Sequence, residues 1–211
     1  MQEKQPIIYV NKVTLGYGET VILKNISFSV FPGEIFVILG GSGCGKSTLL
    51  KHLIRLFPVQ SGTITIDNQD INNIPEKKRE EFFHKIGVTY QSSALFGSMT
   101  LLENIMLPLE EFTNLSLTAR RLIAATKLRL VNLQGYENFL PAHLSGGMKK
   151  RAGIARAMAL DPKIIFLDEP SSGLDPITSS DLDQLILGLS RNLGITVVVV
   201  SHELHSIFTI A

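Results

Sequence analysis

The chain has 211 residues, enough for one substantial core and a smaller subdomain, and its 45% hydrophobic and 18% charged residues are typical of a globular protein. The formal net charge of +1 does not favour a nucleic-acid-binding surface. The longest apolar run, Ile195 to Val200, has the length of a strand and not of a membrane span. Met1 to Lys4 lacks the pattern of a signal peptide, and a single cysteine excludes an internal disulfide framework and fits a reducing compartment.

The N-terminal segment predicts two antiparallel strands, Ile7 to Leu15 and Val21 to Val30, joined by a turn at Gly16 to Glu19. Tyr17 lies in this turn, between glycines. An exposed turn aromatic is the ordinary interpretation of such a residue. The alternative is that its ring stacks on a nucleotide base, which would require a nucleotide site elsewhere in the chain.

The next stretch satisfies the phosphate-loop pattern G-x-x-x-x-G-K-[ST]. It follows a predicted buried parallel strand, Ile35 to Leu39, and precedes a predicted helix, Leu49 to Ile54. Glycines let successive N–H groups turn toward a polyphosphate, and the helix start adds its positive dipole end. We expect Lys46 to reach the β- and γ-phosphates and Ser47 to ligate Mg²⁺. The loop consists of Gly40, Gly41, Ser42, Gly43, Cys44, Gly45, Lys46, Ser47 and Thr48.

A second short strand is predicted for Ile86 to Tyr90, with Gln91 directly after it. Ligands of open α/β sheets bind at the carboxyl ends of strands, so Gln91 is either a ligand-binding residue or an ordinary polar loop residue. Residues 92–144 then predict a mostly helical insertion, with helices at Met99 to Leu109 and Thr118 to Leu133.

Leu144-Ser-Gly-Gly-Met148 opens another helix, in which Ser145 has the position of an N-cap. Gly146 and Gly147 leave the backbone N–H groups of the first turn exposed, which favours anion binding. The alternative is an ordinary Ser-capped helix. Residues 149–151, Lys-Lys-Arg, lie outside the apolar stripe of this helix.

The last two predicted strands also end in polar residues. Ile164 to Leu167 leads into Asp168, which fits the acid that orients Mg²⁺ in phosphate-loop enzymes, and Glu169, which is placed to activate a water molecule. Ile195 to Val200 is the other strand, and His202 follows it. The alternative is that Asp168 and Glu169 are ordinary solvated residues at a strand end. The presence of a phosphate loop in the same chain argues against it.

Taken in order, these segments resemble the nucleotide-binding domain of ATP-binding cassette (ABC) transporters over nearly the whole chain. Leu-Ser-Gly-Gly is the most diagnostic piece. The resemblance implies one α/β domain over 1–211: a P-loop NTPase core with a mostly parallel sheet, an N-terminal antiparallel β subdomain, and an inserted helical subdomain at about 92–144. Relatives usually continue for a few tens of residues beyond Ala211, so we expect a truncated C-terminus.

The resemblance implies that the chain hydrolyses ATP with Mg²⁺. Tyr17 would stack on adenine, and Ser47 and Gln91 would ligate Mg²⁺, with Asp168 holding the metal through water. Gln91 would also sense a transmembrane partner.

Catalysis would depend on Glu169 as the base, with Lys46 and His202 on the γ-phosphate. The resemblance also implies a head-to-tail dimer in which two ATP molecules are sandwiched between two copies of the chain. Ser145, Gly146 and Gly147 would then serve the ATP of the opposite subunit, and Asp175 would lie at the interface.

A narrower resemblance concerns the substrate. Met148 stands where most relatives carry Gln, and Leu-Ser-Gly-Gly-Met followed by Lys-Lys-Arg is similar to the ATPase subunit of lipid transporters that contain MCE proteins. Residues 94–100 and 175–178 look like the same group. This implies phospholipid movement between membranes, with transmembrane permease subunits and an MCE-domain lipid-binding protein as partners. The chain would be peripheral, at the cytoplasmic face of the inner membrane.

Several alternatives remain open at this point. An amino-acid or lipoprotein-release transporter would use the same ATPase, because substrate selection resides in its partners. A soluble ABC ATPase acting on DNA would need a long coiled-coil insertion, and one acting on ribosomes would carry two cassettes in one chain. A small-molecule kinase would need an acceptor pocket in place of Leu-Ser-Gly-Gly.

Overall fold

The structure is a computed structural model that describes residues 5–203 and 209–210. Strands and helices are numbered in chain order. The strands of the described chain are β1 (Ile8–Tyr17), β2 (Thr20–Val30), β3 (Ile35–Leu39), β4 (Ser61–Ile66), β5 (Gln69–Asp70), β6 (Ile86–Thr89), β7 (Ile164–Asp168) and β8 (Thr196–Ser201). Its α-helices are α1 (Lys46–Leu53), α2 (Arg79–His84), α3 (Leu101–Phe112), α4 (Leu117–Leu130), α5 (Gly146–Ala157) and α6 (Pro176–Leu193).

The described strands form two four-stranded sheets, in the orders β2-β1-β4-β5 and β3-β8-β7-β6. The first sheet is antiparallel and the second is parallel. The predicted α/β class, with an N-terminal antiparallel part and a parallel core, is therefore confirmed. Helices α3 and α4 occupy the predicted insertion at 92–144, and its status as a separate subdomain stays a prediction.

The first hairpin is tighter than the sequence predicts. Tyr17 is the last residue of β1 and pairs with Thr20, so only Gly18 and Glu19 form the turn. Gly18 has a φ of 57°, in the left-handed region that a two-residue hairpin turn requires. The expectation that Tyr17 lies in a loop was wrong, because the strand pairing extends two residues beyond Leu15.

The parallel sheet is covered on both faces at its centre. Alternate residues of β7 and β8 pack into two apolar clusters, with Phe166 on one face and Leu167 on the other. One cluster lies under α3 to α6, and the other lies between the sheet, α1 and the antiparallel sheet. Strand β3 was expected to be buried, but it is half-buried and Leu39 is 51% exposed. Among the described strands β3 pairs with β8 alone, so it stands at the sheet edge.

Asp67 connects the two sheets. It lies just after β4, and its carboxylate accepts hydrogen bonds from Lys85 and Lys163, each at 3.0 Å. Although burial alone raises the pKa of Asp67, these two lysines hold it below its usual value. Lys85 and Lys163 precede β6 and β7, so this connection is at the amino ends of the parallel strands.

Helix α5 packs closely on β6. A Cβ atom at Gly87 would lie 2.2 Å from the carbonyl oxygen of Ala157, so only glycine fits there. This contact fixes the C-terminal end of α5 against the start of β6. No helix of the described residues is both long and apolar enough to cross a bilayer.

Candidate active site

The parallel strands bring the predicted site residues to one edge of the sheet. The phosphate loop follows β3, Gln91 follows β6, Glu169 follows β7, and His202 follows β8. Because these four strands are parallel and paired in register, their carboxyl ends meet at the same edge.

The phosphate loop has the backbone of an anion site. Gly43 and Gly45 have φ values of 78° and 98°, which residues with a Cβ rarely adopt. Helix α1 begins at Lys46 with no side-chain cap and no acidic residue in its first turn. Its first N–H groups therefore lack the usual side-chain acceptors and are available to a phosphate. Cys44 is exposed within this loop, so it does not fill the core.

Lys46 is folded back over the loop. It is only 9% exposed, and its Nζ donates to the carbonyl oxygens of Gly40 at 2.7 Å and Gly41 at 3.0 Å. The same Nζ lies 3.9 Å from Oε1 of Glu169. The ammonium thus lies between the loop and the end of β7, where a phosphate chain bound by the loop N–H groups would meet it.

Glu169 is held in a constrained conformation next to His202. Its Oε2 lies 2.6 Å from Nδ1 of His202, a hydrogen-bond distance. Its φ is 50°, which is uncommon for a residue other than glycine, and its N–H donates to the carbonyl oxygen of Val200 at 2.8 Å. Lys46, Glu169 and His202 are therefore in mutual proximity, as the sequence predicts.

Asp168 carries an unsatisfied acceptor. Its Oδ1 is buried and has no hydrogen-bond partner among the described residues. Burial, followed by the neighbouring charge of Glu169, raises the pKa of Asp168, while Lys51, Lys46 and Lys150 oppose this. A divalent cation would relieve both effects, and oxygen donors are the ligands that Mg²⁺ prefers. The unsatisfied Asp168 Oδ1 fits the predicted role in holding Mg²⁺, and the parts predicted for Ser47 and Gln91 stay predictions.

Tyr17 lies beside the phosphate loop. Its hydroxyl is 3.5 Å from Oγ1 of Thr48, and its ring packs edge-on against Phe57 with the centroids 4.8 Å apart. His52 lies on a third side, with its ring centroid 6.0 Å from that of Tyr17. This location is compatible with a ring that stacks on a base, and that role stays a prediction.

Two basic residues of α5 were missed by the sequence analysis. The Nζ of Lys150 donates to the carbonyl oxygens of Gln91 at 2.6 Å and Glu169 at 3.1 Å. Arg156 donates to the carbonyl oxygens of Ala94 at 2.7 Å and Ser93 at 3.2 Å. No sequence pattern marks Lys150, because its two acceptors lie 59 and 19 residues away along the chain.

The second predicted anion site forms a separate cluster. Ser145 caps α5 by accepting a hydrogen bond from the N–H of Met148 at 3.2 Å. Asp175 caps α6, with Oδ1 accepting from the N–H groups of Ile177 and Thr178 at 3.1 and 3.0 Å.

The N-terminal ends of α5 and α6 pack against each other at Gly146 and Gly147. A Cβ at Gly147 would lie 2.4 Å from Thr178 Cγ2, and one at Gly146 would lie 3.3 Å from Leu174 Cδ2. In the described part of the chain, no hydrogen bond or ion pair joins Ser145, Gly146, Gly147 or Asp175 to the phosphate loop. Among the described residues, the starts of α1 and α5 are therefore not joined by a direct hydrogen bond or ion pair, and anion binding at each of them stays a prediction.

Comparison with known proteins identifies the family. The family model described as ABC transporter matches residues 23–172. The chain belongs to the ABC transporter family. The cassette is 43% identical over 198 residues to the "Probable ribonucleotide transport ATP-binding protein mkl" of Mycobacterium tuberculosis. This match covers 94% of this chain and 55% of that protein. The chain thus spans little more than half the length of that relative.

Two further matches cover more of the compared protein. The cassette is 39% identical over 207 residues to the "Intermembrane phospholipid transport system ATP-binding protein MlaF" of Haemophilus influenzae, covering 98% of this chain and 78% of that protein. The solved dimer of the ATP-binding cassette MJ0796, described as a post-hydrolysis state bound to ADP and Pi, matches with a TM-score of 0.83 and 35% identity. That match covers 94% of this chain and 89% of the other. The predicted family and the ABC cassette fold are therefore confirmed.

Proposed function

We propose that this cassette is the ATP-hydrolysing, energy-coupling subunit of an ABC transporter. The observation that carries this proposal is the convergence, at one edge of the parallel sheet, of Lys46, Glu169 and His202 beside a carboxylate oxygen of Asp168 that has no hydrogen-bond partner in the described part of the chain. A cation over a phosphate loop, a carboxylate for a metal and a base next to a histidine are the parts that suit hydrolysis of the terminal phosphoanhydride bond of ATP.

Binding would begin at the phosphate loop. The N–H groups of Gly41 to Gly45 and of the first turn of α1 bind the phosphates of ATP, and Lys46 exchanges its two carbonyl acceptors for phosphate oxygens. Ser47, Gln91 and Asp168 would hold Mg²⁺, which would neutralise charge on the phosphates. Tyr17 stacks on the adenine base next to the loop.

Hydrolysis would use Glu169 as the general base. Its carboxylate takes a proton from the attacking water, and His202 orients it through the 2.6 Å contact between Nδ1 and Oε2. The left-handed backbone of Glu169 and its hydrogen bond to Val200 fix where that carboxylate points. His202 is also exposed enough to contact the γ-phosphate.

The variant Glu169→Gln tests the base. The amide keeps the shape of the side chain but cannot accept the proton, so ATP binding should persist while turnover falls about 10²- to 10⁴-fold. Size-exclusion chromatography with Mg–ATP should show an accumulated dimer. Turnover at the wild-type rate would remove Glu169 from this role.

We further propose that two copies form a head-to-tail dimer, in which Ser145 and Gly147 of one copy cap the ATP bound by the other. The lack, among the described residues, of a direct hydrogen bond or ion pair from Ser145 or Gly147 to the phosphate loop supports this, as does the similarity to a cassette described as dimeric. Ser145→Arg should therefore leave monomer ATP binding nearly intact and abolish hydrolysis.

A mixed dimer sharpens this test. When one copy carries Ser145→Arg and the other Lys46→Ala, both lesions fall in the same composite site and the second site is intact. One nucleotide per mixed dimer should be captured. Two occupied and closed sites, or weakened ATP binding by the Ser145→Arg monomer, would contradict the arrangement.

Transmembrane permease subunits are the partners we propose. A cavity of about 320 Å³ next to the Gln91 loop is lined by apolar side chains that are partly exposed, including Phe83, Tyr90 and Phe112. Such a surface favours a protein partner, and Gln91 lies where it would sense one. The chain would then be peripheral, at the cytoplasmic face of the inner membrane. Co-purification of the full-length protein from membranes would identify these subunits.

We propose phospholipid as the substrate, moved between membranes with the help of an MCE-domain protein. The similarity to the phospholipid transport protein over 98% of this chain supports this, together with Met148 and the basic residues 149–151. The similarity to a protein named for ribonucleotide transport favours a second candidate. Stimulation of ATP hydrolysis in the purified complex by phospholipid and not by ribonucleotides would support the first, and the reverse result would support the second.

A further inference from the structure

Lys150 contacts two loops of the proposed site although it belongs to neither. It lies in the second turn of α5, and its Nζ donates to the carbonyl oxygens of Gln91 at 2.6 Å and Glu169 at 3.1 Å. These carbonyls follow β6 and β7, which are neighbours in the parallel sheet. The ammonium therefore spans the gap between the two loops at the carboxyl edge.

The Glu169 backbone needs such a partner. At a φ of 50° it is in a region that residues with a Cβ adopt only where surrounding contacts hold them. Its N–H is held by Val200, and its carbonyl oxygen accepts from Lys150 at 3.1 Å and from the N–H of Ser172 at 3.3 Å. Of these two hydrogen bonds to the Glu169 carbonyl, the one from Lys150 is the shorter and has a charged donor. Hydrogen bonds with a charged donor are stronger than those between neutral groups.

The charges around Lys150 favour this arrangement. Burial lowers the pKa of Lys150, while the carboxylates of Glu169, Glu203 and Asp168 favour its charged form. A partly desolvated ammonium beside three acids interacts with its acceptors more strongly than one in water. It is held in this position by α5, the helix that begins at Ser145.

We propose that Lys150 is a positioning residue for Glu169: it fixes the backbone of the catalytic base by bridging the carbonyl groups of Glu169 and Gln91. This inference rests on the proposed function, because it requires Glu169 to act as the base. Without the bridge, Glu169 relaxes from its left-handed conformation and its carboxylate leaves the position from which it takes a proton from water.

The test uses the full-length protein in the complex with its co-purifying membrane subunits. Lys150→Met removes the three donors and keeps the length of the side chain. We expect kcat for Mg–ATP hydrolysis to fall about 10- to 100-fold, the size of effect that misplacement of a catalytic group produces. The Kd for ATP should change less than about twofold, because Lys150 does not contact the phosphate loop. Lys150→Arg should restore most of kcat.

Lys127→Met is the matched control. Lys127 is also a helical lysine, more buried than the half-buried Lys150, and its ammonium pairs with Asp161. A general loss of stability from removing a desolvated ammonium should appear in both variants and be at least as large for Lys127→Met, whereas the loss of kcat should appear only with Lys150→Met. If Lys150→Met does not fold, Lys150→Gln, which keeps one amide donor group, replaces it.

The double variant of Lys150 and Glu169 tests whether Lys150 acts through Glu169. In the Glu169→Gln background, Lys150→Met should change the residual single-turnover rate less than about twofold, because the group it positions is already inactive. An equal fractional loss in both backgrounds would overturn the proposal, as would a wild-type kcat for Lys150→Met or an equal loss for Lys127→Met. If Glu169→Gln itself turns over at the wild-type rate, the proposed base is wrong; if it is inactive while Lys150→Met is fully active, only this inference fails.

Discussion

Asp168 should destabilise the nucleotide-free protein, so Asp168→Asn is expected to raise its stability. Oδ1 is buried without a hydrogen-bond partner among the described residues, and the charge of Glu169 is adjacent in sequence. The amide keeps the shape of the carboxylate and removes its charge. The variant therefore relieves both the burial of a charge and its repulsion from a neighbour.

The size of the gain follows from the removed charge, because the amide of asparagine still carries an acceptor oxygen. A pKa difference of one unit corresponds to about 1.4 kcal/mol. Since this side chain is only half-buried and solvent screens its charge, we take about 1 kcal/mol. For a chain of this length, a change of that size raises the midpoint of thermal unfolding by about 2–4 °C.

The dependence on pH has a definite sign. Because the pKa of Asp168 is raised in the folded state, the cost of its charge is fully present above the folded pKa. This cost disappears as the pH falls toward the pKa of the unfolded state, about 3.9. The gain from Asp168→Asn should therefore be largest at neutral pH and vanish in acid.

Asp67→Asn is the control of opposite sign. The pKa of Asp67 is lowered, so its charge stabilises the fold above the unfolded pKa and this stability is lost as the pH falls through the folded pKa. Asparagine tolerates the φ of 48° at this position, so the variant tests only the loss of the charge that binds Lys85 and Lys163. It should lower the midpoint at neutral pH.

Differential scanning fluorimetry at several pH values, with and without Mg–ATP, measures both effects. At a ligand concentration of 100 times Kd, wild type should gain about 2.7 kcal/mol and overtake Asp168→Asn, which has lost a metal ligand. A lower midpoint for Asp168→Asn at neutral pH without ligand, or a gain that is the same at every pH, would refute this reasoning.

Three other perturbations, two by substitution and one by chemical modification, test separate parts of the site. Lys46→Ala should abolish measurable ATP binding by calorimetry, because its ammonium contact with the phosphates is lost; unchanged ATPase activity in the complex would contradict that role. Alkylation of Cys44 should block ATP binding, since the adduct occupies the exposed loop, and complete labelling with unchanged affinity would mean that the thiol points away. Gly147→Ala should lower the unfolding midpoint by about 2–4 °C for each kcal/mol of overpacking against Thr178. Gly146→Ala should lower it less, because the added methyl group meets the flexible side chain of Leu174. Equal shifts for the two variants would exclude the packing explanation.

The placement of the site residues was predictable because it depends on local rules. An apolar run of four or five residues predicts a buried strand, and parallel strands must bring their carboxyl ends to one edge. This was enough to place Glu169 and His202 next to Lys46 of the phosphate loop, as the structure shows. Gln91 follows a strand at the same edge, and its distance from the phosphate loop stays a prediction. The N-cap position of Ser145 is also local, since one side chain and one N–H three residues later define it.

What could not be predicted depends on tertiary contacts. Tyr17 belongs to a strand because Thr20 of the next strand pairs with it, and β3 is half-buried because it lies at the edge of its sheet. Lys150 looks like any solvated helical lysine until two distant loops provide its acceptors. Strand pairing and the positions of long side chains are set by the whole fold, and sequence periodicity carries little information about either.

Helix α5 and the segment after β6 are joined along the length of the helix. Lys150 binds the carbonyl of Gln91 from the second turn of α5, Arg156 binds two carbonyls of the following loop, and Ala157 packs against Gly87 at the C-terminal end. A helix attached at three positions cannot easily rotate relative to the segment that it contacts. We therefore expect a displacement of Gln91 to move α5 as a unit, including Ser145, which lies about one and a half helical turns from Lys150.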